Sequence, residues 1–358
     1  MRDVAKKAGV SLSTVSLVVN NTGYVSEDMR ERVTEAMKEL KYVPNELARN
    51  LYRDRTNLVG VIVPTIRHPF FATLTAQLQR ELASRGLRTM LCSTSDAENG
   101  EAEYVDMLCR HMMDGIVMCS HTAHPADYWT SIHRPVVAFD RVLGDGIASI
   151  GSDHEQGGRL VARMLVGSGA RHVVMIGGPR DQFFDLAARG EVEEDAFDLR
   201  RTTFPTVRYY LTLEQELAAA GVRYEYVEAG EVMDFEGYRH AVSATLDRMA
   251  SDGVDAVVSS DVGAAYCVRE ALRRGIAIPD DLQVVAYDGT YLTELAGMRL
   301  TAVKQDFSKI ARAAAGYIIQ AIADDAGAAA GPSHDAGCKP FEPNVLVPVS
   351  LEPADTTR

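Results

Sequence analysis

From Leu58 onward the chain alternates short apolar runs with stretches of helical periodicity, and this alternation constrains its fold more than any other feature. Strand-length runs fall at 58–63, 88–92, 115–119, 136–139, 172–176, 223–227, 256–259 and 283–286. Helical patterns lie between them, at 71–84, 156–167, 237–249, 264–273 and 310–323. Strands that alternate with helices build βαβ units and parallel sheets. The runs are numerous enough for two such sheets, with a ligand cleft outside the carboxyl ends of their strands.

The first fifty residues have a different texture. The run DVAKKAG (3–9) reads as a short helix, and Gly9 supplies a bend. Ser11 is placed to cap a second helix, VSLSTVSLVVN (10–20), by accepting from the free N–H groups of its first turn. At roughly 100° per residue, Val15, Val18 and Val19 gather on one side, and Ser13, Ser16, Leu17 and Asn20 on the other. A short helix with valines inward and small polar residues outward is what a helix-turn-helix reader presents to a major groove. After the turn at 20–24, Ser26 is expected to cap a third helix, with Glu27 and Asp28 at its positive end. Met29, Val33, Met37 and Leu40 step along one face to close a small core.

Charge supports that division. Residues 1–55 hold 10 Lys/Arg against 8 Asp/Glu, and the remainder holds 27 against 42. An acidic body with a mildly basic head fits a protein whose head alone meets phosphate. Between the two, residues 45–51 (NELARNL) are too short for a stable isolated helix. They read as a hinge that orders on binding; the competing reading is a plain linker. The expected organisation is a helix-turn-helix head (1–44), a hinge helix and linker (45–57), a core (58–351) and a tail (352–358). Within the core, the near subdomain is read as 58–150 plus 283–306 and the far one as 151–282 plus 307–351. Residues 324–343 read as a loose loop and 344–351 as one last strand.

Other chemistries find little support. No apolar run reaches the ~18 residues of a membrane span, and the N-terminus lacks a signal-peptide core, so a cytoplasmic protein is expected. Cys92, Cys109, Cys119, Cys267 and Cys338 are scattered and read as reduced. Cys119, His121, His124 and His133 do not have the spacing of a closed zinc site. There is no nucleophile elbow, and the GGP after 172–176 lacks the Lys-Ser or Lys-Thr of a phosphate loop. No enzymatic activity and no cofactor are expected.

Several motifs, in this order and spacing, resemble the lactose/galactose repressor family of bacterial transcription regulators. They are DVAKKAGVSLSTVS, VSEDMRERV, YVPNELARNL, GVIVP with HPFF, FDR, IPDDLQVVAYD, LTAVKQDF and LVPVSL. The resemblance covers nearly the whole chain. It implies a DNA-binding head, a hinge helix and a two-lobed core like that of periplasmic sugar-binding proteins. It also implies a homodimer on a near-palindromic operator, with a small-molecule effector, a carbohydrate by chemistry, held between the lobes. By resemblance, Leu12, Ser13 and Leu17 fall where the family reads base edges. Ser11, Thr14, Ser16, Asn20, Tyr24 and Asn45 fall where it meets the DNA backbone, and Ala48 and Leu51 where its hinge enters the minor groove. His68, Phe70, Phe71, Asp140, Arg208, Val232, Ser260, Asp288 and Phe307 are the implied effector positions. The competing roles are caps or turns for the aspartates and plain core for Phe70 and Phe71. A sugar-binding module without DNA regulation is the alternative reading of the core.

The chain also departs from the family. Leu17 stands where arginine is usual. Only Met1 and Arg2 precede the Asp3 position, where relatives carry a capping hydroxyl residue, so the native start is expected further upstream. Ser260 replaces a usual asparagine, Val232 a frequent aromatic residue, and Gly289 a common second acidic residue. After Gly177, Gly178 and Pro179, an acidic insertion around 189–201 displaces the family's effector arginine, for which Arg208 is the nearest candidate.

Overall fold

The computed structural model describes residues 1–44, 55–95, 100–122, 124–185, 202–231, 234–329 and 344–358. The chain forms two compact units, Met1–Thr56 and Asn57–Arg358.

In the first unit, α1 (Arg2–Ala8), α2 (Leu12–Asn20) and α3 (Glu27–Glu39) enclose Val4, Ala5, Ala8, Val15, Val33 and Ala36. Gly9 ends α1 in the left-handed region at φ 62°, and Arg32 Nη2 donates to the freed Ala8 carbonyl at 2.5 Å. A side chain at Gly9 would meet that guanidinium 2.8 Å away, so the bend has a steric as well as a conformational reason. Ser11 caps α2 as expected, its Oγ accepting from Thr14 N at 3.0 Å. Ser26 sits at the start of α3, but its side chain makes no capping bond. Met29 and Leu40 are 42% and 41% exposed; the inward face of α3 is narrower than periodicity predicts, with Val33 and Ala36 buried in the small core and Met37 packed against it.

The second unit contains two six-stranded sheets. The near lobe holds β1 (Leu58–Val63), β2 (Arg88–Ser93), β3 (Gly115–Met118), β4 (Val136–Phe139) and β5 (Ser149–Ser152), with β11 (Asn344–Val347) at its edge. The far lobe holds β6 (His172–Gly177), β7 (Arg223–Glu228), β8 (Ala256–Ser260), β9 (Gln283–Asp288) and β10 (Thr301–Lys304), with β12 (Ser350–Glu352) at its edge. The strand orders are β11-β5-β4-β3-β1-β2 and β12-β10-β9-β8-β6-β7. Every pairing is parallel except β12 against β10. Each sheet therefore reverses direction beside its first strand, leaving a crevice at that switch point. The helices that follow these strands are α4 (Pro69–Ser84), α5 (Gly100–Cys109), α6 (Ala126–Thr130), α7 (His154–Gly167), α8 (Val207–Ala219), α9 (Phe235–Asp247), α10 (Met249–Asp252), α11 (Asp261–Arg274) and α12 (Phe307–Ala329). Among the described residues no helix is long and apolar enough to cross a membrane.

The subdomain assignment read from the sequence is reversed at its C-terminal pieces. Residues 283–304 belong to the far sheet, because β9 pairs in register with β8, Val258 opposite Val285. Helix α12 belongs to the near lobe: Ile310, Ala311, Ala314 and Ile318 pack into the cluster that contains Val59, Val117 and Val137. Residues 344–351 form two strands rather than one, divided around Pro348, and the second crosses to the far sheet. The last residues are docked on the far lobe, where Thr356 Oγ1 donates to Val284 O at 2.7 Å and accepts from Thr301 N at 2.9 Å.

Helices α7 and α8 pack closely through glycine. A Cβ on Gly158 would stand 2.6 Å from the Tyr209 carbonyl oxygen and 2.8 Å from Thr212 Cβ. Gly158→Ala gains about 1 kcal/mol of helix propensity but forces the helices apart. It is expected to destabilise the core by about 1–3 kcal/mol net, measured by denaturant unfolding of the full chain.

Candidate functional site

The head positions expected to meet DNA lie on α2 and the turn after it, apart from those in the 45–51 segment. Leu12 is 46% exposed and Tyr24 92% exposed, and Ser11 and Ser13 are also open to solvent. Thr14 is half-buried, its Oγ1 2.9 Å from Ser11 Oγ. Ser16 Oγ accepts from Asn20 Nδ2 at 3.2 Å, which fixes both side chains on one rim of the helix. Leu17 is half-buried and lies over Gly23, where an added Cβ would meet its Cδ2 at 3.2 Å. The leucine thus braces the turn as well as facing outward. Asn45, Ala48 and Leu51 lie outside the described residues.

In the core, the carboxyl ends of the strands in both lobes open onto one cleft of about 530 Å³. His68, Phe70, Phe71, Asp140, Ser260 and Asp288 all line it, as the sequence reading expects. His68 caps α4, and Pro69 in the first turn lacks the N–H that would otherwise need a partner. The His68 Nδ1 accepts from Phe70 N at 3.3 Å, so the ring proton sits on Nε2, which is buried with no hydrogen-bond partner. Burial without a counter-charge lowers the His68 pKa to about 4 and keeps the ring neutral. Opposite in chemical sense, Asp140 Oδ2 is a buried acceptor with no partner.

Asp140 and Asp288 occupy matching places, at the ends of the fourth strand of each sheet, β4 and β9. Both have positive φ, 44° and 133°, a strained conformation for a residue with a side chain. Asp140 Oδ1 lies 3.0 Å from His154 Nε2, and His154 Nδ1 bonds the Tyr287 hydroxyl. Burial holds that phenol protonated, so it donates to Nδ1 and leaves Nε2–H to donate to Asp140. Asp288 accepts from Gln305 Nε2 at 3.0 Å, and Gln305 Oε1 accepts from Ser152 Oγ at 2.6 Å. Burial, reinforced by neighbouring Asp261, pushes the Asp288 carboxyl well above the usual carboxylate range. Burial also raises Asp261 to about 6, offset in part by hydrogen bonds from Thr290 and Gly289.

Two expected positions do not reach the cleft wall. Arg208 begins α8 beside Val207, and the residues of that helix which line the cleft are Val207 and Tyr210, three apart on one face. Arg208 is thereby turned off the cleft face. Phe307 sits behind the wall in the near-lobe core, 5.4 Å from the Phe70 ring that it supports. Val232 lies outside the described residues. Gly289 has φ 71°, and a Cβ there would meet the Lys304 Cα at 2.7 Å, which accounts for the missing second acidic residue.

The cleft also contains groups that sequence reasoning did not pick out. Arg141 is buried, donates through Nε to Ser120 O at 3.1 Å and through Nη1 to Asp140 O at 2.5 Å, and lies 4.9 Å from the Phe204 ring. Its place beside Asp140 in the FDR motif was the available signal. Phe204, Tyr210, Tyr226 and Tyr238 carry no local signature, because they meet only once the sheet is assembled. His121 lies tilted against Phe204, ring centroids 4.1 Å apart, while His124, off the cleft, stacks on Tyr128 at 3.9 Å. Among the described residues no group of three or more His, Cys, Asp or Glu is arranged to hold a metal ion.

A helix-turn-helix head and a two-lobed core with a polar, aromatic cleft define a DNA-binding regulator with a ligand-binding core. Residues 1–45 match the model of bacterial regulatory proteins of the lacI family. Residues 56–191 match that of periplasmic binding proteins and the sugar binding domain of the LacI family, and residues 162–335 a periplasmic binding protein-like domain. The chain is 32% identical over 325 residues to the sucrose operon repressor of Pediococcus pentosaceus, covering 90% of this chain and 92% of that protein. It is 30% identical over 322 residues to the ribose operon repressor of Bacillus subtilis, covering 90% of this chain and 91% of that protein. Its fold matches that of the lac repressor dimer bound to operator and the anti-inducer ONPF, with a TM-score of 0.78 at 22% identity over 99% of this chain and 98% of that one. The chain belongs to the lacI family of bacterial regulatory proteins and is a DNA-binding transcriptional repressor, not an enzyme.

The state of His68 gives a pH test. Its folded pKa lies below the ordinary value, so the unfolded chain takes up a proton that the folded core refuses as pH falls from 6.5 to about 4. His68→Asn, which keeps a capping side chain, is expected to gain stability relative to the parent over that window. The gain should approach about 3 kcal/mol at pH 4 and vanish above pH 7, read by unfolding at a series of pH values.

Proposed function

We propose that the chain represses as a homodimer in the cytoplasm, with one head on each half-site of a near-palindromic operator. A sugar or sugar derivative bound between the lobes changes its affinity for that operator. The observation that carries the effector reading is the pair of unpartnered buried atoms in the cleft, the donor His68 Nε2 and the acceptor Asp140 Oδ2. A hydroxyl group both donates and accepts, and leaving either atom unpaired costs roughly 1–3 kcal/mol. A polyhydroxylated ring between Asp140, Asp288 and Ser260, with Phe70 and Phe71 nearby, meets both demands. The sucrose and ribose operon repressors among the relatives point to the same ligand class.

On the head, Leu12, Ser13 and Leu17 are the proposed base readers, and Ser11, Thr14, Ser16, Asn20 and Tyr24 the proposed backbone contacts. Asn45 would add a further backbone contact, while Ala48 and Leu51 would enter the minor groove. Helix α2 carries no charged residue, so guanine has no bidentate partner on it and a thymine methyl suits its leucines better. The effector acts by shifting how the lobes meet, and the 45–51 segment transmits that shift to the heads.

Two measurements test this reading. Selection of bound sequences from random DNA is expected to return an operator without the family's guanine at the Leu17 position. Leu17→Arg should restore that preference with about 1–3 kcal/mol of discrimination; recovery of the ordinary family consensus by the parent chain would count against it. Separately, a sugar at 100 times its Kd should stabilise the full chain by about 2.7 kcal/mol and alter its operator gel shift. Asp140→Asn should lose both effects.

A further inference from the structure

Asp288 has a second buried carboxyl group beside it. Asp261, the first residue of α11, accepts from Gly289 N at 3.2 Å and from Thr290 N and Thr290 Oγ1, each at 2.6 Å. Those donors belong to the two residues that follow Asp288, so both carboxyl groups are fixed against one turn. They differ in what surrounds them. Asp261, 1% exposed, lies behind the cleft wall and has donors at both oxygens, which is what a charged carboxylate requires. Asp288 lines the cleft and accepts through Oδ1 from Gln305 Nε2.

Among the described residues no cation offsets the pair. Lys304 stands opposite Asp288 in the register of β9 and β10, but its ammonium is half exposed and paired with Glu352. Arg141 donates to the Ser120 and Asp140 carbonyls on the near lobe, and Arg208 is turned off the cleft face. The other ionisable groups that face Asp288 are Asp140 of β4 and four phenols: Tyr209 and Tyr210 of α8, Tyr238 of α9 and Tyr287 of β9. Burial keeps the phenols neutral.

Two neighbouring anions buried without a cation repel, and one proton relieves them. The hydrogen bonds decide where it rests. Two of the three partners of Asp261 are backbone N–H groups, which cannot accept a proton's hydrogen bond. On Asp288 the oxygen that Gln305 leaves free can carry the proton. Burial and the charge of Asp261 push the Asp288 carboxyl well above the ordinary range, whereas the donors at Asp261 check its rise at about 6.

We propose that Asp288 holds a proton at neutral pH and meets the effector as a hydrogen-bond donor, the counterpart of the acceptor Asp140. This role rests on the reading of the cleft as an effector site, and it adds a chemical demand. The ligand must present an oxygen acceptor to Asp288, such as a ring oxygen, a carbonyl or a hydroxyl, together with a hydroxyl that donates to Asp140.

Infrared spectroscopy and calorimetric titration of the full chain test both halves. At neutral pH the ligand-free protein is expected to show the carbonyl stretch of a protonated carboxylic acid, which Asp288→Asn removes. Asp261→Asn, which deletes the neighbouring charge, should let the band disappear at lower pH. A parent chain without the band, or a band unchanged in Asp288→Asn, would overturn the proposal whatever binds in the cleft. For binding, D-ribose, D-fructose, D-glucose, D-galactose and sucrose are titrated from about pH 6 to about pH 9. The affinity of a sugar that binds should follow the band, level while it persists and falling about tenfold per pH unit once it is lost. Asp288→Asn, whose amide donates at every pH, should remove that fall. An affinity that rises as the band is lost, or a fall that persists in Asp288→Asn, would overturn the donor role and leave the effector reading standing. If none of the sugars binds, the effector reading fails and the donor role fails with it, while the band still reports whether Asp288 holds the proton.

Discussion

Asp140 and Asp288 are buried carboxyl groups that need partners, and the partners they have come from the chain that passes between the lobes. Asp140 of the near lobe is held by His154, at the start of the first far-lobe helix, and His154 in turn by Tyr287 of β9. Asp288 of the far lobe is held by Gln305, on the segment that returns to the near lobe, and Gln305 by Ser152 of β5. Each of these two cleft-lining carboxyl groups is therefore bonded to a crossover. The fold provides this arrangement twice because the two sheets have the same strand order.

The strain in the backbone has the same origin. Positive φ at two aspartates is costly, and it persists where the surrounding structure over-determines it. At Asp140 the carboxyl group is pressed against Gly151, where no Cβ fits beside it. At Asp288 the next residue is glycine because Lys304 of the neighbouring strand passes too close for a side chain. Close packing of parallel strands thus determines which residue follows the cleft-lining aspartate.

The head obeys a simpler constraint. Its core is six small or branched side chains, so caps and turns contribute a large share of its order. Ser11, Gly9 and Arg32 act at the two ends where α1 and α2 meet. Leu17 has two roles, since it packs over Gly23 while lying on the outward rim of α2. A change at this position that alters DNA preference will also alter the turn.

Much of this was legible in the sequence. The alternation of runs determined a two-sheet α/β core, and the spacing of Val15 and Ser11 determined a capped reader helix, because hydrophobic period and capping are local properties. Short strands such as β5 and β10 and the division of 344–351 were not legible, since their partners lie far away in the chain. The same is true of the lobe to which α12 belongs, which is decided by the surface that Ile310 and Ile318 find. Asp140 and Asp288 stood out through motifs, but only tertiary structure paired them with His154 and Gln305 and turned Arg208 away. It also gathered Phe183, Phe204, Tyr210 and Tyr226 into one cluster. Local sequence determines which residues prefer a helix, a strand or a turn; burial and hydrogen bonding between distant segments decide which of their side chains share a cleft.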